Sequence, residues 1–290
     1  MFNMSSISVI IPTYNRRELL MRALRSVYAQ TQPADEVIVV DDGSTDGSRE
    51  EIKTSFPHVI YLSQSNNGVS AARNMGIRRS SGQWLAFLDS DDEWQPEKLA
   101  RQFTAHQADP NYRVIHNDEI WVRNGRRVNP MNKHAKQGGH IFEHCLPRCV
   151  ISPSAVMIHR QVFDEVGLFD ETLPACEDYD LWLRICCRMP VLFINDALIT
   201  KYGGHPDQLS HQHWGMDRFR IQAICKLVDG TSLPTHHHLA AIIMLLNKIE
   251  IFLKGAEKRG NEKGVSEYRA LRQHYQRFLN NADGLNVAAS

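Results

Sequence analysis

Two acidic clusters in this chain could do chemistry together. Asp41-Asp42-Gly43-Ser44 follows the run Glu36-Val37-Ile38-Val39-Val40, and Asp89-Ser90-Asp91-Asp92 follows Trp84-Leu85-Ala86-Phe87-Leu88. Gathered carboxylates repel, and they tolerate one another best with a cation or a polar ligand between them. No Lys or Arg lies nearby in sequence to compensate Asp89 and Asp91. Acidic residues after a strand also cap helices or make turns. Two such clusters in one alternating chain favour a single site for a metal and a nucleotide, because ligands of open α/β sheets bind beyond the carboxyl ends of the strands.

The elements that must position these clusters read as strand–helix alternation. Ile7–Ile11, Val37–Val40, Val59–Leu62 and Trp84–Leu88 are short apolar runs bounded by turn residues, the pattern of buried parallel strands. Between them, Leu19, Leu20, Ala23, Leu24, Val27 and Tyr28 keep helical spacing, a second helix follows Asp46, and a third runs from Val69 to Arg79. Asn15 with Glu18 three positions on predicts a capping box. Pro96 opens a helix to about Gln107. Asn124-Gly125 marks a hairpin between Val114–Val122 and a stretch after Arg127. The polar segment from Asn129 to His140 reads as a mobile loop. Ser154–His159 predicts a strand, Gln161–Val166 a short helix, Glu177–Met189 a helix with Leu181, Trp182 and Ile185 inward, and Leu192–Ile194 a strand. After Pro234 the chain reads as purely helical, a hairpin with a break between Gly255 and Gly264.

Composition sets the outer bounds. The 290 residues suffice for one large α/β domain with an appendage, and 42% apolar and 23% charged residues are ordinary for a globular protein. Net charge is zero, so the total gives no argument for nucleic acid. The six cysteines lack zinc spacing and predict free thiols in a reducing cytoplasm. No signal-peptide layout and no bilayer-length apolar run is expected. Between Lys248 and Arg277 eight Lys/Arg face four Glu; a solvated helix face accounts for this, and peripheral contact with an anionic membrane is the alternative. His236-His237-His238 reads as surface.

Five segments then stand in a familiar order: Val9-Ile10-Ile11-Pro12-Thr13-Tyr14-Asn15-Arg16; Val40 to Asp46; Asn67-Gly68 with Ala71-Ala72-Arg73-Asn74; Asp89-Ser90-Asp91-Asp92; and Glu177-Asp178-Tyr179-Asp180-Leu181-Trp182. Together they resemble the family 2 glycosyltransferases, from about Ile7 to His205. The resemblance implies the GT-A nucleotide-diphospho-sugar transferase fold: a mostly parallel central sheet flanked by helices, here with a C-terminal helical hairpin. It implies a transferase domain over residues 1–234 and a helical extension over 235–290.

It also implies an inverting transfer of a single sugar from a nucleotide-sugar donor, assisted by Mg²⁺ or Mn²⁺, to a glycan or lipid-linked acceptor, on the cytoplasmic face of the membrane. Pro12, Thr13, Tyr14 and Asn15 would line the donor site, with Tyr14 on the base. Asp42 would accept the base imide N–H, which favours a UDP-sugar. Arg73 would stand near the base or the diphosphate. Asp89 and Ser90 would contact the donor, and Asp89 and Asp91 would meet the metal from alternate positions of an extended segment. Asp92 would cap the next helix. Asp178 would be the catalytic base, and Glu177 would orient the acceptor. His205 would close the site and meet metal or phosphate, although Gly203-Gly204 stands where relatives carry a basic residue.

The competing readings are a non-catalytic nucleotide-sugar-binding protein of the same fold and a sugar nucleotidyltransferase. Intact Asp89, Asp91 and Asp178 argue against the first. The second would need a glycine-rich basic turn after the first strand, where Pro12-Thr13-Tyr14-Asn15 stands. A dehydrogenase would need a G-x-G-x-x-G turn, and a processive synthase membrane spans and a Q-x-x-R-W element.

Overall fold

The computed structural model describes residues 6–129, 131, 134–204 and 215–287, with side chains through 279. A nine-stranded sheet runs through them in the order β3-β2-β1-β4-β8-β6-β9-β5, with β7 paired to β6. The strands are β1 (Ile7–Thr13), β2 (Glu36–Asp41), β3 (Ile60–Ser63), β4 (Trp84–Phe87), β5 (Glu93–Trp94), β6 (Val114–Arg123), β7 (Arg126–Val128), β8 (Val156–His159) and β9 (Leu192–Gly203). From β3 to β4 all pairings are parallel; β8 then joins both β4 and β6 in antiparallel sense, and β6 and β9 are again parallel.

Alternation along the strands makes two cores. Ile7, Val9 and Ile11 of β1 join Trp84 and Ala86 of β4 beneath α1 (Arg17–Tyr28) and α4 (Lys98–Ala108), through Leu20, Leu24 and Leu99. Ile10, Leu85 and Phe87 face the other way. They join one continuous cluster with α5 (Phe142–Cys145), α6 (Gln161–Val166), α7 (Glu177–Cys186), α8 (Asp217–Gly230), α9 (Thr235–Lys258) and Tyr275 of α10 (Glu262–Val287). Of the two remaining helices, α2 spans Ser48–Ser55 and α3 spans Gly68–Arg79. A Cβ on Gly76 of α3 would collide with Ile10 of β1, so the missing side chain is what lets α3 press onto the sheet beside the site.

Three local expectations change. No capping box forms: the cap of α1 is Arg16, without a side-chain bond. Asn15 instead adopts φ 49°, donates its N–H to Ser44 Oγ (2.8 Å) and accepts the Thr45 N–H at Oδ1 (2.8 Å), which spends it on the loop after β2. The strand expected over Leu192–Ile194 runs on to Gly203. Asn195 and Asp196 bulge out of register between Ile194 and Ala197, and the polar pair hides a strand that resumes beyond it. Helix α8, with Phe219, Ala223, Ile224, Leu227 and Val228 buried, had no counterpart in the sequence reading.

The segment read as a mobile loop is tied down in its described part. Lys136 pairs with the buried Glu119 at 3.0 Å and donates to Val150 O at 3.2 Å. Gly139 exchanges backbone bonds of 2.7 and 3.0 Å with Val191. Among the described residues no helix is long and apolar enough to cross a membrane.

Candidate active site

The parallel half of the sheet supplies the first wall. Thr13 pairs with Asp41, and Asp42 N–H donates to Thr13 O at 2.9 Å, so the ends of β1 and β2 rise together. The buried carboxylate of Asp42 accepts Gln64 Nε2 (2.7 Å), Asn67 N–H (2.8 Å) and Gly68 N–H (2.8 Å). Gly68, at φ 87°, turns the chain so that the start of α3 aims its N–H at that carboxylate. A carboxylate offers about four acceptor positions, so Asp42 keeps one on Oδ2 for a further donor. Asp41 accepts the Ser44 N–H (2.7 Å) and the Tyr61 hydroxyl. Tyr14 stands 47% exposed beside them, while Pro12 and Thr13 are buried in β1.

The second cluster is a turn and not the extended segment expected, because Asp92 N–H closes back on Asp89 O at 2.9 Å. Asp92 caps no helix: it is buried, with Oδ2 accepting Ser154 Oγ–H (2.6 Å) and Oδ1 accepting Tyr202 N–H (3.1 Å). It thereby staples the turn to β9, and Ser90 is buried within the same turn.

The compensating cations absent nearby in sequence arrive from elsewhere in the fold. Arg16 meets Asp91 at 2.8 Å, and the buried Arg73 meets Asp89 at 2.6 Å. Burial opposes the charge of Asp89, but Arg73, with Lys201 and Arg16 behind it, holds that carboxyl below the ordinary range. Burial pushes Asp91 up against the pull of Arg16, and Asp89 adds to the rise.

Arg73 also reaches the other half of the molecule. Its Nη1 lies 2.7 Å from Glu177, 104 residues away in the chain. Glu177 and Asp178 open α7 after Cys176, which sits at φ 63°. Tyr179, Leu181, Trp182 and Ile185 are buried beneath them, with the Tyr179 hydroxyl donating to Leu146 O at 2.6 Å. Burial and Asp178 raise the Glu177 carboxyl against the pull of Arg73. Asp178 accepts the Tyr179 N–H at 2.7 Å, and Cys149 Sγ lies 3.1 Å from its Oδ2. Asp180 turns away into the packing, paired with Arg184 (2.7 Å) and Lys226.

Lys201 received no role from the sequence. It lies on the part of β9 beyond the bulge and donates to Ser152 Oγ at 2.9 Å. Burial disfavours its charge, yet Glu119, Asp92 and Asp89 hold its ammonium above the usual range. The usable signal was the Lys201-Tyr202 pair itself, once β9 is extended to Gly203. His205 lies outside the described residues.

Two carboxylates on a turn, Asp89 and Asp91, form a hard-oxygen donor set. Such a set suits Mg²⁺ or Mn²⁺ when substrate phosphates complete the coordination. Among the described residues no cluster of three or more His, Cys, Asp or Glu is placed to hold a metal ion.

Comparison with known proteins identifies the family and the fold. The profile described as Glycosyl transferase family 2 matches residues 8–167, more than half the chain. An uncharacterized glycosyltransferase of Rickettsia bellii is 32% identical over 209 residues, covering 70% of this chain and 30% of its own length. The putative teichuronic acid biosynthesis glycosyltransferase TuaG of Bacillus subtilis is 28% identical over 215 residues, covering 72% of this chain and 82% of its own. The chain spans about a third of the length of three Rickettsia relatives that it matches. Among solved structures, S. aureus TarS 1-349 in complex with UDP-GlcNAc superposes with TM-score 0.61 at 18% identity, over 94% of this chain and 92% of that one. The mannosyltransferase PcManGT of Pyrobaculum calidifontis, in complex with GDP-Man and Mn²⁺, gives TM-score 0.60 at 18% identity, over 94% and 84%. At that identity the likeness establishes the GT-A glycosyltransferase architecture.

Proposed function

This chain belongs to glycosyl transferase family 2, and from that premise we propose that it transfers one sugar from a nucleotide-diphosphate sugar, by preference a UDP-sugar, to a hydroxyl acceptor with inversion at the anomeric carbon. The observation that carries the reading is the double clamp of Arg73 on Asp89 and Glu177. It joins the acidic turn and the helix bearing Asp178, which brings the proposed donor-side and acceptor-side carboxylates together on one arginine.

In this reading Asp42 uses its remaining lone pair for the imide N–H of the base, and the exposed Tyr14 ring covers the base face. Asp89 and Asp91 would hold Mg²⁺ or Mn²⁺, with His205 proposed as a further ligand; bound there, the metal would act as a Lewis acid toward the growing charge of the leaving diphosphate. Glu177, fixed by Arg73, orients the acceptor. Asp178 takes the hydroxyl proton as that oxygen attacks from the side opposite the leaving group.

UDP-GlcNAc in the TarS complex supports a uridine donor, and GDP-Man with Mn²⁺ in PcManGT keeps guanosine as the competing base. The teichuronic acid biosynthesis assigned to TuaG supports an acceptor in cell-envelope polysaccharide synthesis, either a glycan or a lipid-linked chain at the cytoplasmic face. Residues 1–234 would form the transferase unit and 235–290 a helical extension.

Asp178→Asn keeps the shape and removes the basicity. Turnover should fall by about 10²–10⁴, while calorimetric affinity for UDP with Mn²⁺ stays that of the parent. Near-normal turnover, or a product of retained configuration, overturns the mechanism. A thermal-shift panel of UDP, GDP and ADP with and without Mn²⁺ tests the donor; equal shifts for ADP and UDP would remove the base assignment.

A further inference from the structure

A thiol stands against the proposed base. Cys149, half-buried between α5 and the turn Pro153–Ala155, places Sγ 3.1 Å from Asp178 Oδ2 and 3.2 Å from Ile151 O. A thiol carries one proton and so donates to only one of these acceptors at a time. Burial, followed by the carboxylate of Asp178, pushes this thiol well up, so it stays protonated and serves as a donor rather than a nucleophile.

We infer that Cys149 is a positioning residue for Asp178, a weak donor shared between two acceptors that fixes the carboxylate while leaving it basic, and that turns to the Ile151 carbonyl once Asp178 has taken the acceptor proton. The inference rests on the reading of Asp178 as the base.

The physical argument is one of donor strength. A hydrogen bond to the ionised form stabilises that form and lowers basicity. A hydroxyl at this place would donate strongly and weaken the base, and a methyl would leave Oδ2 without this donor, with the carboxylate held only through Oδ1 by the Tyr179 N–H. The S–H bond is the weak intermediate. When Asp178 is protonated, the thiol still has Ile151 O to donate to, so the S–H proton keeps an acceptor in either protonation state of Asp178. The titratable and charged groups around the pair are Glu177 and Tyr179 on α7, Cys176 before it, Cys145 on α5, Lys201 on β9 and Arg220 with Asp217 on α8. Substituting Cys149 removes none of them, so a changed pH profile reports the S–H contact.

The test is the pH dependence of kcat/KM for Cys149→Ser and Cys149→Ala in the full chain. The acid limb should move to lower pH in the serine variant and to higher pH in the alanine variant, with kcat reduced in both and donor KM close to that of the parent. Limbs that stay with the parent in both variants overturn the inference. If Asp178→Asn retains turnover, the base reading itself has failed; if Asp178→Asn collapses while the limbs do not move, the inference alone has failed. A second measurement needs no activity and no Cys149 variant. Alkylation of Cys149 by iodoacetamide at pH 8, followed by peptide mass spectrometry, should be several-fold faster in Asp178→Asn, where the neighbouring negative charge is gone. Equal labelling rates in the two proteins overturn the contact.

Discussion

The two halves of the sheet hold their carboxylates in different ways. In the parallel half, Asp41, Asp42 and Asp46 are satisfied mainly by backbone N–H groups of nearby turns: Ser44, Asn67 and Gly68, and Arg17 and Ser48. In the mixed half, Glu119, Glu177 and Asp180 are satisfied by cations from distant elements: Lys136, Arg73, and Arg184 with Lys226. Backbone donors are removed only by a substitution to proline and cost no side-chain entropy to aim. Side-chain cations can be removed, and each leaves a buried charge behind. The parallel half is therefore a backbone-held frame for the proposed donor, and the half carrying the proposed base is a set of charge balances.

Arg73 is the element at which this contrast breaks most sharply, since it serves both halves. Arg73→Met should destabilise the fold by about 3–5 kcal/mol, the usual cost of stripping one partner from a buried pair, measured by urea unfolding. Arg73→Lys should recover only part of the loss, because a lysine cannot present the two-armed fork that meets Asp89 and Glu177. Full recovery by lysine would mean that only net charge matters there.

The next prediction concerns acid. Burial would raise Glu119, but Lys136 and Lys201 bring it down to about 2 from 4.5. A folded value below the unfolded one gives stability that is complete above about pH 4.5 and is lost as pH falls toward 2. Lys136→Met should cost about 1–3 kcal/mol at neutral pH, and the difference from the parent should shrink as the pH is lowered through that window. A difference that grows on acidification would place the stabilising charge elsewhere.

The smallest change is expected in the receptor half. Asp42→Asn leaves one acceptor oxygen for three donors and turns an amide N–H₂ toward one of them. A loss of about 1–2 kcal/mol in stability is expected, together with weaker UDP binding by calorimetry. Unchanged UDP affinity would remove Asp42 from the donor site while leaving its role in holding the Asn67-Gly68 turn.

The same contrast explains what was readable before any coordinates. Strands β1, β2 and β4 are buried on both faces, so their runs are almost wholly apolar, with Ser8 the polar exception inside β1, and acidic residues follow β2 and β4. The pattern places these carboxylates at strand ends, although most of their partners lie far away in the chain. Asp178 and Glu177 were legible through the helix they open, since Leu181, Trp182 and Ile185 mark its buried face.

The amino-acid order could not disclose which cation answers which carboxylate. Arg73 and Glu177 lie 104 positions apart, and Lys136 is 17 positions from Glu119. Pairing at such distances is settled only when α3, α7 and β9 are packed on one sheet. The turn at Asp89–Asp92 misled because the bond that bends it, Asp92 N–H to Asp89 O, leaves no mark in residue type. The end of β9 misled because a two-residue bulge of Asn195 and Asp196 looks like a stop. The chain by itself determined where the carboxylates stand and which strands deliver them, because those depend on hydrophobic runs and short turns. The tertiary structure alone decided how their charges are balanced, because electrostatic partners are chosen by distance in space and desolvation, not by distance along the chain.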